Sequence, residues 1–181
     1  MTGKMKLYIG LLVLGLVVIG GGIWMLAKSP PKIDIPEGNP VICEQLEYVM
    51  RGEFSYLYFY GDGSILYIEE KGLREPSLLH PPTRTWRTAR FRPDQLDSLL
   101  AYFENSGLDE LYEDYYFPGA VLGSGDMRLT ITVNSDNLSK TVTAFGYPTP
   151  SGMPAPLNAI YGRLRTISEV TEEVYRENIK D

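Results

Sequence analysis

One stretch of this chain carries no charge at all, and it limits what the rest can be. Leu7 to Leu26 reads LYIGLLVLGLVVIGGGIWML, 20 residues without Asp, Glu, Lys or Arg. As an α-helix rising ~1.5 Å per residue it would span about 30 Å, the thickness of a bilayer's hydrocarbon core. Tyr8 and Trp24 stand near its two ends, where aromatic rings favour the membrane interface. A cleaved signal peptide fits less well, because such apolar cores run ~7–15 residues and end at an A-x-A-like site. Here the run is longer, and the residue two before Ala27 is the large Met25. We therefore expect a short tail over residues 1–6 and a transmembrane helix over 7–27, with residues 7–26 as the membrane contact.

Lys4 and Lys6 precede the run, and Lys28 and Lys32 follow it, so the positive-inside bias is slight. A short N-terminal tail before a first apolar segment favours a single-pass topology with the domain on the extracytoplasmic side. Residues 28–40 read as a Pro-rich linker. The segment SPPKIDIPEGNP holds four prolines in 12 residues, which remove backbone donors and favour extended conformations. Such a semi-rigid spacer reaches up to about 35 Å. Residues 41–181 remain for one globular domain.

Charge separates the two parts. The net charge is −6, but residues 1–32 carry four lysines and no acid. The remainder sets 23 acids against 13 Lys and Arg and carries −10. A domain so acidic repels phosphate backbones, so no nucleic-acid partner is expected. It is also repelled by an anionic lipid surface, which leaves the helix as the membrane contact. Cys43 is the single cysteine, so there is no intramolecular disulfide and no zinc cluster, and no cofactor or metal site is indicated.

Within the domain, Phe54–Tyr60 and Ile65–Ile68 are rich in β-formers and flank Gly61-Asp62-Gly63-Ser64, a strong hairpin signal. Thr83–Phe91 predicts a third strand. Pro93 opens a helix whose Leu96, Leu99, Leu100 and Phe103 form one apolar stripe, closed by Gly107. Residues 112–126 read as an irregular loop. Met127, Leu129, Ile131 and Val133 alternate with polar residues as a strand, and Lys140–Phe145 pairs back on it. Leu157, Ile160, Tyr161, Leu164 and Ile167 predict a second helix. The expected fold class is α+β: an antiparallel sheet of about five strands in the order βββ-α-ββ-α, two helices on one face, preceded by one transmembrane helix.

No catalytic constellation is visible. His80, in LLHPPT, is the only histidine and reads as a loop residue. Asp62 is explained by its turn. The pairs Glu69-Glu70, Asp109-Glu110 and Glu113-Asp114 read as solvated surface charge, since neighbours in a strand point to opposite faces. The best site candidate is the aromatic cluster Tyr112, Tyr115, Tyr116 and Phe117 beside Glu113 and Asp114. It serves either as a binding edge or as a lid on the core.

The hairpin Y-x-D-G-S (Tyr60 to Ser64, with Tyr67 beyond), the helix P-x-x-L-x-x-L-L-x-x-F (Pro93 to Phe103) and the strands Asp126…Thr130-Ile131-Thr132-Val133…Lys140-Thr141-Val142-Thr143 resemble small bacterial envelope-associated α+β domains of unknown function, often found behind a signal or anchor. The resemblance spans about residues 48–167. It implies an α+β fold, a bacterial source and an envelope location, and no activity. Some of those domains carry cysteines before the first hairpin strand, where this chain has Phe54-Ser55-Tyr56, so no thiol role follows. The expected function is thus a single-pass membrane protein with an acidic, non-catalytic binding domain and an envelope protein partner. The alternatives are an accessory subunit of a membrane complex, or an envelope enzyme acting through loop 112–126.

Overall fold

A computed structural model of the chain describes residues 33–49, 51–73, 81–116, 127–147 and 152–179. Residues 35–181 form one compact unit; the other unit, 1–34, lies almost entirely outside the described residues. The unit contains β1 (Ile42–Tyr48), β2 (Glu53–Phe59), β3 (Ser64–Lys71), β4 (Thr83–Arg90), α1 (Pro93–Glu104), β5 (Asp114–Tyr116), β6 (Met127–Asn134), β7 (Ser139–Tyr147), α2 (Ala155–Glu169) and β8 (Glu172–Asn178).

The expectation of about five strands in the order βββ-α-ββ-α is corrected. One eight-stranded sheet forms, in the order β5-β7-β6-β1-β2-β3-β4-β8. It is antiparallel except where β5 runs parallel to β7. No helix among the described residues is long and apolar enough to cross a membrane. The transmembrane helix expected over 7–27 lies outside the described residues.

Three strands were not foreseen, each for a physical reason. In β1, Ile42 and Leu46 face the core, but the position between them is Glu44, which breaks the apolar alternation. β8 reads EEVYREN, a polar sequence of low strand propensity that pairs only with β4. β5 has three residues, too few for any period to show.

The β1–β4 meander is built by tight turns. At the β2–β3 turn Gly63 takes φ 84°, and the Phe91 amide donates to its carbonyl at 2.8 Å. A Cβ there would stand 2.3 Å from the Phe91 carbonyl oxygen, so glycine is required. Asp62 stays in the turn, accepting from the Ser64 amide at 2.9 Å and the Ser64 hydroxyl at 2.8 Å. α1 starts at Pro93, behind an Arg92 amide that donates to the Gln95 side chain at 2.9 Å.

The core lies between one sheet face and both helices. Leu96, Leu99 and Phe103 from α1 and Leu157, Ile160 and Leu164 from α2 join a single cluster with Ile42, Leu46, Leu57, Phe59, Ile65, Leu129, Ile131, Val133 and Val142. Strand pairing places those strand residues on one side of the sheet. The opposite side is left without a helix among the described residues.

Candidate functional site

Strand register turns the helix-free side into rows that cross the sheet from end to end. The outermost row reads Tyr116, Phe145, Arg128, Glu47, Phe54, Glu70, Arg84, Glu177, one residue from each of the eight strands. The next reads Asp114, Thr143, Thr130, Gln45, Tyr56, Ile68, Trp86, Tyr175. A third continues through Thr141, Thr132, Cys43, Tyr58, Leu66, Thr88 and Glu172. At the usual strand spacing the rows are about 34 Å long.

The rows sort by chemistry. The β6–β7 end is a threonine lane, with the Thr132 and Thr141 hydroxyls 3.0 Å apart. The β2–β4–β8 end is aromatic: Tyr56 stacks on Tyr58 with centroids 6.3 Å apart, and Trp86 leans on Tyr175 at 5.2 Å. Both pairs are half-buried. The outermost row alternates in sign. Arg128 stands 3.9 Å from Glu47, and Arg84 joins Glu70 to Glu177, the latter at 3.6 Å. Arg84 also lies over Trp86 and Arg128 over Phe145, at 5.5 and 5.0 Å from the ring centroids. Such cation–aromatic contacts hold the guanidinium groups flat against the sheet.

The expected aromatic cluster divides around β5. Tyr115 packs against the core, and its hydroxyl accepts from the Tyr112 amide at 3.0 Å. Tyr116 points to the other side, 62% exposed and stacked on Phe145 at 5.0 Å with ring planes 7° apart. Tyr112 is 78% exposed and sits against Tyr115 at 6.1 Å. Phe117 lies outside the described residues, as do His80, Asp126 and the rest of the expected loop to residue 126. Tyr115 thus packs on the core, while Tyr112 and Tyr116 face out.

Cys43 is in the third row, beside Tyr58. Burial, helped by the charge of Glu44, pushes its thiol up to about 11, so it is protonated near neutral pH and a poor nucleophile. Burial likewise raises Tyr58 to about 12. Among the described residues no three His, Cys, Asp or Glu side chains gather as metal ligands.

A second feature lies on the helix side. Glu44 is 5% exposed at the centre of β1, under α2. No hydrogen bond or ion pair among the described residues reaches its carboxyl group, and burial pushes it up to about 7 against the opposing pull of Arg165. Tyr48, Tyr67 and Tyr161 surround the pair. Arg87 lies over the Tyr67 ring at 5.9 Å, with its Nε buried and unpartnered among the described residues. Next to this cluster is a cleft of about 210 Å³, lined in part by Tyr48, Arg51, Glu53, Tyr67, Lys71 and Arg165.

Most of these residues were missed in the sequence. Tyr175 and Glu44 sit in strands that could not be read. The Trp86 and Tyr56 positions gain meaning only from cross-strand register. Compared with known protein families the chain matches none, and no curated protein matches it.

Proposed function

We propose that this is a single-pass membrane protein whose acidic domain is a non-catalytic binding module, held on the extracytoplasmic side and docking an envelope protein through the helix-free face of its sheet. The observation that carries this reading is the register of that face: a continuous row over eight strands, ending in exposed Tyr116, with a half-buried aromatic lane beside it. A broad surface some 34 Å long fits a protein partner, whereas small-molecule sites are concave. Aromatic and arginine side chains are the groups that most often anchor protein interfaces. The 20-residue uncharged run supports the tether, and the proline spacer supports a stand-off from lipid. The resemblance to small bacterial envelope-associated domains supports the compartment.

The partner surface is taken to be basic and apolar, since the domain, residues 41–181, carries −8. The test is affinity capture by the full-length chain in detergent from solubilised envelope. Tyr116→Ala should lower recovery of the partner by about ten-fold. Tyr102→Ala, which removes an exposed ring from α1 on the other side, should leave it unchanged. Equal recovery with both variants would refute docking on this face. Exchange of residues 7–26 for an unrelated apolar helix separates this reading from the accessory-subunit one, in which the helix itself is the contact and capture is lost.

A further inference from the structure

Glu44 is an anomaly in β1. Its neighbours on the core side are Leu57 of β2 and Ile131 of β6, both buried and apolar, so neither flanking strand offers it a charge. Burying a carboxyl at such a position costs several kcal/mol when it is ionised and unpaired. The titratable groups coupled to it are Arg165 and Tyr161 from α2, Tyr67 from β3 and Cys43 from β1 itself, while Tyr48 acts on Tyr161 and Arg165. Arg87 of β4 is one layer further, over Tyr67.

Arg165 also lines the neighbouring cleft, with Arg51 and Lys71. Of these three cations, Lys71 is paired with Glu69 at 3.0 Å. Among the described residues Arg165 has as ion-pair partner only Glu169, at a long, exposed 4.0 Å, which contributes little. Arg51 lies over the Tyr48 ring at 5.4 Å and has no carboxylate partner among the described residues. Two carboxylates, Glu53 of β2 and Glu69 of β3, also line the cleft; Lys71 offsets Glu69, so the two guanidinium groups against Glu53 leave it a net positive charge in a domain that is otherwise strongly acidic. Tyr48, Ser55 and Tyr67 also line it, with the Ser55 hydroxyl donating to that of Tyr67.

We infer that this cleft is a binding site for a small carboxylate anion, held by Arg51 and Arg165, with buried Glu44 controlling how much of the Arg165 charge the ligand meets. A planar carboxylate matches the guanidinium fork. A volume of about 210 Å³ admits a small ligand, on the order of ten heavy atoms. When Glu44 is protonated it no longer opposes Arg165, whose field then falls on the cleft against Glu53 and Glu69 alone. When Glu44 ionises, the two attract each other and the ligand is opposed. Burial places that change near neutral pH.

The experiment is ligand-observed NMR on the full-length chain in detergent, following saturation transfer to the methyl group of acetate, with acetamide as the uncharged control. Acetate should bind about five-fold more tightly at pH 6 than at pH 8, and acetamide should show no transfer that acetate competes away. Arg51→Gln together with Arg165→Gln, both at the surface, should abolish acetate binding with the far-ultraviolet circular dichroism unchanged. Glu44→Gln should keep binding and make it the same at the two pH values. Acetate transfer that survives loss of both arginines, or that is matched by acetamide, overturns the site. A pH dependence that persists in Glu44→Gln overturns the role of Glu44.

Discussion

Glu44 shows how one residue sets both stability and chemistry. Its carboxyl is pushed from 4.5 up to about 7 by burial. The folded chain therefore holds that proton more tightly than the unfolded chain does. The stabilisation is fully present below pH 4.5 and is lost as pH rises through 7. The loss amounts to about 3 kcal/mol by pH 8. Glu44→Gln is expected to remove it: thermal melting should show the variant several degrees above the parent at pH 8 and level with it at pH 4. A parent melting temperature that does not fall between pH 5 and pH 8 would contradict the buried, unpaired carboxyl. Gly63 is the matching case in the backbone. Gly63→Ala drives a Cβ onto the Phe91 carbonyl at positive φ, and we expect a loss of about 2 kcal/mol or more in urea unfolding.

The elements differ in how openly their sequences declare them. α1 and α2 carry apolar stripes at helical spacing, and β6 alternates cleanly, because each has one face on the core and one in water. Phe103, at 0% exposure, is the deepest residue of α1, and Phe103→Ala should cost about 3–5 kcal/mol by chemical denaturation. β8 is the opposite case. Its seven residues are mostly charged, and it exists because β4 offers it an unpaired edge and Trp86 offers Tyr175 a ring to lean on. Charges along such an edge also discourage pairing with other chains. Tyr175→Ala should destabilise the domain by about 1 kcal/mol. It should also shift Trp86 emission to the red, read in a Trp24→Phe background; unchanged emission would mean the two rings do not share a contact in solution. β5 is held as a parallel partner of β7 over three residues, and that pairing alone turns Tyr115 inward and Tyr116 outward.

At the scale of the whole molecule, the charge division and the proline spacer organise everything else. An apolar run flanked by lysines precedes a domain of charge −8, so the domain gains nothing from lying on anionic lipid. Alkaline carbonate washing is expected to leave the full chain in the membrane pellet, and replacement of residues 7–26 by a polar linker should release it to the supernatant. Protease added from outside should then cut the intact anchored chain in the 28–40 spacer. Protection there, with cleavage only after the membrane is opened, would place the domain on the cytoplasmic side instead.

The sequence by itself determined the features that depend on neighbouring residues along the chain. These are the uncharged run, the proline spacer, the Asp-Gly turn, the two helical stripes and the alternation of β6. Each is a local pattern with a local physical cause, so it can be read without knowing what lies opposite. Only the tertiary structure decided the rest. β1, β5 and β8 are strands because partners complete their hydrogen bonds, against sequences that hide or contradict the period. The rows of the helix-free face join residues nearly a hundred positions apart, such as Glu47 and Phe145, through register alone. The same holds for Glu44 and Arg165, whose charges act on each other only because α2 packs over the sheet. A surface made by pairing between distant strands leaves no mark in any single stretch of sequence.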